Sequence, residues 1–218
     1  MKNFRAAAPE EHSRHTAEQN RIGLERLMFF SDAVFAIAIT VLILDIHLPE
    51  GGEAANDGEL LSILVGLWHQ YLAYVISFWV IGIYWINHHR KFLLIKKFDG
   101  LLLTLNLLLL MFIAFIPFPS AVISENTTRL ASIFYSLVMA SGGLALTILW
   151  LHAEKNNNLI DPRLSKQLRW RETAGSLAIA IIFLVSIGIA FINQGLIRIV
   201  WLLIIPISLF IQVRRDSP

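Results

Sequence analysis

The chain has 218 residues, of which 56% are apolar and 16% are charged. Soluble domains average roughly 25% charged residues, so this composition lacks the polar surface that water requires. The mean hydropathy of +0.63 points the same way, and a net charge of +2 is too near neutral to suggest a nucleic-acid binder. The absence of cysteine excludes disulfides, thiolate metal sites and a cysteine nucleophile. The sequence therefore predicts an integral membrane protein.

Six segments are candidates for membrane-spanning helices, each of which needs about 20 apolar residues. The first, 27–48, contains Asp32 and Asp45. The others contain no Asp, Glu, Lys or Arg and are 60–89, 100–124, 130–153, 173–197 and 199–213. The predicted fold class is all-α, with six transmembrane helices per subunit. Pro117 and Pro119 are expected to end the third span, because proline interrupts helices.

The basic residues predict the orientation. Sixteen of the 18 lie on one side of the spans, with Arg90 and Lys91 assigned to the linker between the second and third. By the positive-inside rule both termini are cytoplasmic, and the acidic loop 49–59 faces outside. The predicted organisation is an arm (1–25), a single six-span domain (26–213) and a tail (214–218) in the cell membrane. The polar arm argues against a cleaved signal peptide.

The first span differs from the others because its two acids enclose a short apolar run. Charge inside a membrane is costly unless it is paired or hydrated, so this helix is expected inside the bundle or beside water. On a helical wheel that starts at Ile37, Thr40, Val41 and Leu44 lie within about 60° of it, whereas Asp32 lies nearly opposite. The four residues form either a stripe that faces a pore or an ordinary packing surface.

Residues 26–32, RLMFFSD, resemble the Arg-x-x-x-Phe-Ser-Asp signature of the transmembrane protein 175 family of potassium channels. The next eight residues, AVFAIAIT, look like the prokaryotic branch of that family. Further along, Ser77-Phe78 and the segment YWINHH at 84–89 are similar to the corresponding segments of such proteins. The six-span length fits a single-repeat member.

The resemblance implies a homotetramer in which the first helix of each subunit lines a central pore for monovalent cations, with no cofactor. The constriction of the family falls five residues after the motif aspartate, which here is Ile37. Its threonine layer matches Thr40, and Val41 and Leu44 match further apolar positions that face the pore. The resemblance thus selects the stripe that the helical wheel produces.

The signature residues are expected to act away from the pore. A buried carboxylate needs partners, so we expect Asp32 to join a hydrogen-bonded cluster that holds the first helix against the second and third. The family resemblance gives this signature a role in structure and gating. The expected members of this cluster are Arg26, Phe30, Ser31, Asp32, Asn87, His88 and His89.

Several weaker signals allow two interpretations. His88 and His89 are about 100° apart on a helix, which favours hydrogen bonding over chelation of one metal, and a proton-sensing role is also open. Asp45 either attracts cations at an outer mouth or caps the helix near His47. The tryptophans near span ends are expected in the membrane interface; they are Trp68, Trp85, Trp150 and Trp201.

The sequence therefore predicts a potassium-preferring cation channel that conducts passively. The alternative is a proton-coupled secondary transporter, with Asp32 and the histidine pair as its relay, or a proton-permeable channel. A membrane-bound enzyme is disfavoured because no paired carboxylates, catalytic triad, phosphate loop or metal motif is present. The bilayer and further copies of the chain are the expected partners.

Overall fold

The computed structural model describes residues 9–156, 159–202 and 206, with side chains from residue 17 onward. Eight helices lie within these residues. The last of them, α8, covers 194–202, and a 3-10 turn, Leu42–Asp45, follows the first. The other seven are α1 (Pro9–Val41), α2 (Asp57–Gly66), α3 (Trp68–Leu94), α4 (Gly100–Phe115), α5 (Pro117–Glu125), α6 (Arg129–Lys155) and α7 (Lys166–Ala190). The predicted all-α class is confirmed.

Among the described residues, the helices provide four or five candidate membrane spans. Four segments are long and apolar enough to cross a bilayer, namely Ala17–Asp45, Gly100–Glu125, Arg129–Lys155 and Lys166–Ala190. Helices α2 and α3 supply a fifth if the pair, bent by 46°, forms one span. The predicted sixth span, 199–213, lies largely outside the described residues. Helix α1 is continuous across residues 25 and 26, where the predicted arm ends and the predicted membrane domain begins. The first span and the end of the arm therefore form one helix.

Capping side chains fix where four helices begin. In each case the residue before the helix is extended, and its side-chain oxygen accepts a hydrogen bond from a backbone N–H of the first turn. These N-cap residues are Asn56, Asp99, Thr128 and Ser165. Such caps stabilise a helix end by about 1 kcal/mol each. They set the start of α2, α4, α6 and α7.

The third span does not end at its prolines, which corrects the expectation from sequence. Helix α4 stops at Phe115, and α5 starts at Pro117 and continues to Glu125. Proline is tolerated in the first turn of a helix because the N–H that it lacks has no partner there. The two prolines therefore divide this span into two helices.

Lys91 does not belong to a solvated linker, which corrects the assignment made from charge. It lies in the last turn of α3 and is fully buried. Its Nζ donates to the backbone oxygen of Glu172 at 2.8 Å and lies 3.5 Å from a carboxylate oxygen of the same residue. The Trp150 ring lies 5.7 Å away. Helix α7 begins at Lys166, seven residues before the predicted span 173–197, so Glu172 is a helical residue that meets Lys91 inside the bundle.

Helices α6 and α7 pack closely at Gly143. A Cβ atom at this position would lie 3.0 Å from the backbone nitrogen of Ala180 and 3.1 Å from its Cβ. Small residues allow helices in membranes to approach in this way. The position therefore does not tolerate a larger side chain without movement of α7.

We expect Gly143→Val to lower the free energy of unfolding by about 1–3 kcal/mol, because the added atoms overlap the backbone of α7. Gly188→Val is the matched control, since nothing lies within 4 Å of a Cβ built there. Thermal unfolding of both variants in detergent tests this. Equal loss in the two variants would contradict the proposed close contact.

The cap of α4 predicts an effect of pH. The backbone N–H of Leu102 holds the pKa of Asp99 below its ordinary value, with a smaller contribution from His152 and some opposition from burial. A lowered pKa means that the carboxylate stabilises the fold above its unfolded-state pKa. That stabilisation disappears as the pH falls through the folded value.

Asp99→Asn keeps an oxygen acceptor for the cap and removes the charge. The difference in unfolding free energy between wild type and variant should therefore be constant near neutral pH and shrink below about pH 4. Unfolding measured between pH 3 and 7 checks this. A difference that does not change with pH would show that the charge of Asp99 contributes nothing.

Candidate functional site

Helix α1 has two distinct faces within the single chain. One face packs against the rest of the bundle through residues at helical spacing, which are Leu24, Ser31, Phe35, Ala38 and Leu42. The other face is open: Ile37 is 62% exposed and Leu44 is 73% exposed, and Thr40 and Val41 are exposed between them. All four residues of the predicted stripe thus lie on the face that the subunit leaves uncovered. We call this set the α1 stripe.

Ser31 anchors the packed face of α1 to α4 and α3. Asn106, a buried residue of α4, donates from Nδ2 to Ser31 Oγ at 3.0 Å. The side-chain oxygen of Asn106 in turn contacts His88 Nε2 at 2.9 Å. Ser31 completes the set by donating to the carbonyl oxygen of Leu27 on its own helix at 2.8 Å. One hydrogen-bonded chain therefore joins α1, α4 and α3.

Asp32 is held by a tryptophan of α3. Trp85 donates from Nε1 to Asp32 Oδ1 at 2.8 Å, and its ring stacks on His89 with centroids 5.7 Å apart. The neighbouring His88 is enclosed differently, between Phe35 of α1 and Phe92 of its own helix, at 5.5 and 4.3 Å. Each histidine thus contacts the partner of one signature residue. His89 stacks on Trp85, which donates to Asp32, and His88 contacts Asn106, which donates to Ser31.

The structure does not bring every predicted cluster residue to Asp32. Arg26 and Phe30 are exposed in the single chain. Asn87 donates to the carbonyl oxygen of Ile83 on its own helix. Its side-chain oxygen and the Nδ1 atom of His89 have no hydrogen-bond partner within the described part of the chain. The contacts therefore centre on Ser31 and Asp32 rather than on an ion pair with Arg26.

Two residues of the cluster were missed by the sequence reasoning. Asn106 is the lone amide in the leucine-rich run 101–110, and such an isolated polar residue in an apolar span was the available signal. Trp85 was expected to be an interfacial residue. Trp150 and Trp201 were expected there too, but both are buried, at 0% and 3% exposure. Of the four tryptophans, only Trp68 lies at the start of a helix, and it is 49% exposed, as expected of an interfacial residue.

The predicted outer mouth lies at the opposite end of α1. Asp45 is half-buried, and its Oδ2 atom has no hydrogen-bond partner among the described residues. His47 contacts the carbonyl oxygen of Asp45 through Nδ1 at 3.2 Å and lies 3.8 Å from a carboxylate oxygen of Glu125. Within the described part of the chain, no three His, Asp or Glu side chains are grouped so that they could hold a metal ion.

This arrangement defines a helical membrane protein whose first helix is anchored on one side and bare on the other. A family model described as endosomal/lysosomal potassium channel TMEM175 matches residues 26–117. A potassium channel of Streptomyces collinus is 41% identical over 180 residues, covering 78% of this chain and 84% of that protein. A potassium channel of Chamaesiphon minutus is 35% identical over 190 residues, covering 80% and 92% respectively.

The solved structures give a matching result. A crystal structure described as a lysosomal potassium-selective channel TMEM175 homolog from Chamaesiphon minutus superposes with a TM-score of 0.72 at 29% identity. The match covers 89% of this chain and 99% of that one. The endosomal/lysosomal proton channel TMEM175 of Gallus gallus is 42% identical over 106 residues, which are 46% of this chain and 21% of that protein. The chain belongs to the TMEM175 family, as its signature predicted.

The hydrogen-bonded chain through Asn106 predicts opposite effects for two asparagines. Asn106→Leu should cost about 1–3 kcal/mol of unfolding free energy, because it leaves the buried His88 nitrogen without an acceptor. Asn87→Leu should be neutral or stabilising, because it removes a buried oxygen that has no partner within the described residues. Unfolding midpoints of the two variants in one detergent provide the comparison. Equal destabilisation would refute the role assigned to Asn106.

Proposed function

We propose that this chain is the subunit of a homotetrameric, potassium-preferring cation channel whose pore is lined by α1. The single observation that carries the proposal is the exposure of the α1 stripe on a helix whose opposite face is anchored within the subunit. Two bacterial relatives that the chain matches over most of its length are named potassium channels. Ile37 also lies five residues after the signature aspartate, Asp32, which is the spacing of the constriction in the TMEM175 family.

The α1 stripe could form the constriction of a cation pathway. A ring of Ile37 side chains around an axis makes a narrow apolar neck, from which water withdraws. An ion must then pass partly stripped of water, and potassium loses its hydration at a lower free-energy cost than sodium. This favours a modest preference for potassium and lets the same neck serve as the gate.

Thr40 provides an oxygen one turn beyond the neck. Its hydroxyl donates to backbone carbonyl oxygens of its own helix, with Oγ1 2.9 Å from the oxygen of Ile37 and 3.0 Å from that of Ala36. The lone pairs of the hydroxyl oxygen remain available to replace water around a cation. Val41 and Leu44 extend the apolar lining, and Asp45 lies at the mouth, where a carboxylate attracts cations.

The proposed assembly is a single six-span domain (26–213) in the cell membrane. The N-terminal arm (1–25) and the tail (214–218) are cytoplasmic in this proposal, as the distribution of basic residues predicts. The contacts of Ser31 and Asp32 then support gating, because they fix how α1 meets the axis. No catalytic chemistry is assigned, and the relatives named above are ion channels.

We expect Ile37→Asn to raise both K⁺ and Na⁺ flux and to bring their ratio toward one, because a polar neck keeps its water. The measurement is ion flux into liposomes that contain the purified chain. Ile181→Asn is the matched control, because Ile181 on α7 is also well exposed, at 49%, but lies outside α1. It should leave the flux ratio unchanged. An unaltered ratio in Ile37→Asn would remove Ile37 from the pathway.

The second candidate function is proton permeation or proton-coupled transport. Its relay would be Asp32 with the histidine pair, and the observation that favours it is that Trp85, which donates to Asp32, also stacks on His89. The vertebrate relative is named a proton channel. Proton flux measured in the same liposomes separates proton permeation from potassium conduction. Single-channel current steps would exclude a transporter, whose cycle is too slow to produce them.

A further inference from the structure

A small cavity opens at the end of the bundle where α3 and α6 begin. Its polar lining comes from His69 of α3, Tyr135 of α6 and Arg198 and Trp201 of α8. Its apolar lining includes Leu72, Ile76 and Ile123. The volume open to the centre of a water-sized atom is about 20 Å³. The cavity therefore admits roughly one oxygen atom, since about 10–15 Å³ by this measure is enough for one water.

Trp201, one of the residues that line this cavity, has a buried hydrogen-bond donor. The residue is 3% exposed, and its Nε1 has no hydrogen-bond partner within the described part of the chain. Ring contacts with Tyr135 and Phe183, at centroid distances of 4.7 and 6.5 Å, hold the indole in place. The Tyr135 hydroxyl is already bonded to Ser77 at 3.0 Å. A buried donor without an acceptor is costly, so an external acceptor would stabilise this site.

Arg198 adds a positive charge on the same face of α8. It precedes Trp201 by three residues, a spacing that places two side chains side by side on a helix. Its guanidinium lies 5.6 Å from the centre of the Trp68 ring. No carboxylate lines the cavity, and none within the described residues forms an ion pair with Arg198. The cavity therefore offers cationic and N–H groups and lacks a matching anion.

The position of the cavity indicates where such an anion comes from. Trp68 begins α3 and is 49% exposed, as an aromatic side chain at a membrane interface is. Leu72 and Ile76 of the lining lie one to two turns further along α3, toward the membrane interior. Arg198 lies against Trp68, so the opening of the cavity is at the interface, where the phosphates of phospholipids are concentrated.

We propose that this cavity binds the phosphate of an anionic phospholipid. One phosphate oxygen enters the cavity and accepts from Trp201 Nε1, while the Arg198 guanidinium binds the remaining charge at the opening. Guanidinium groups pair well with phosphate because both present several hydrogen-bonding atoms. The acyl chains stay outside the cavity, beside the exposed Trp68 ring against which Arg198 lies. The occupant is thus a lipid held by the last described helix and by α3.

Native mass spectrometry of the full-length chain in detergent, with phosphatidylglycerol added as the probe, tests this proposal. The wild-type chain should retain the lipid. Arg198→Gln should weaken retention about tenfold, because a charge-assisted bond is lost. Trp201→Phe keeps an aromatic ring but lacks the N–H, and should weaken retention about threefold. Because Trp201→Phe preserves the packing, it remains informative if Arg198→Gln fails to fold.

Arg129→Gln is the matched control. Arg129 starts α6 at the same end of the bundle and also lies over an aromatic ring, 5.4 Å from the centre of Phe191, but it does not line the cavity. Its substitution should leave lipid retention unchanged. Equal retention in the wild-type chain and in both cavity variants would overturn the proposal and leave the cavity as a site for one water.

Inorganic phosphate and phosphatidylcholine distinguish the possible sources of the anion. Phosphate binding that depends on Arg198, measured by calorimetry without lipid retention, would overturn the lipid assignment. Equal retention of phosphatidylcholine would overturn the preference for an anionic headgroup. Neither readout involves ion conduction, so the result is independent of whether the chain forms the proposed channel.

Discussion

The hydrogen bonds of Ser31 and Asp32 fix the rotation of α1 about its own axis, and the arrangement of the proposed pore depends on them. Inside a bilayer each polar side chain must find a partner in protein or water. Asn106 and Trp85 supply these partners on one side of α1. Ile37 is five residues beyond Asp32, which turns it about 140° away on a helix. The apolar stripe is therefore directed out of the subunit by contacts that it does not make itself.

Periodicity was sufficient to predict much of this helix. The spacing of Ile37, Thr40 and Leu44 defined one face and put Asp32 nearly opposite. The cost of an unpaired carboxylate then indicated that Asp32 faces partners in the protein. Periodicity specifies the angle between residues on one helix but contains no information on which residue of another helix lies opposite. Asn106, 75 positions from Ser31, could therefore be recognised as unusual without being paired to its partner.

Lys91 lies deeper in the protein than the charge pattern of the sequence indicates. Counting basic residues places charge on one side of the membrane, but it does not measure depth. Lys91 lies in the last turn of α3 and is buried against Glu172 and Trp150, so it contributes to packing between α3, α6 and α7. A buried pair of this kind adds little net stability, yet removing one member leaves an uncompensated charge. The remaining basic residues still give the same orientation.

The hydrogen bonding of Thr40 bears on which sign of ion the proposed pore accepts. A chloride ion is solvated by hydrogen atoms that point toward it, whereas a cation is solvated by oxygen. Thr40 directs its single hydroxyl hydrogen to the backbone of α1, so it would present only lone pairs to the axis of the proposed pore. A ring of these residues would repel anions without any fixed negative charge, and discrimination by sign would persist at high salt, where carboxylates are screened.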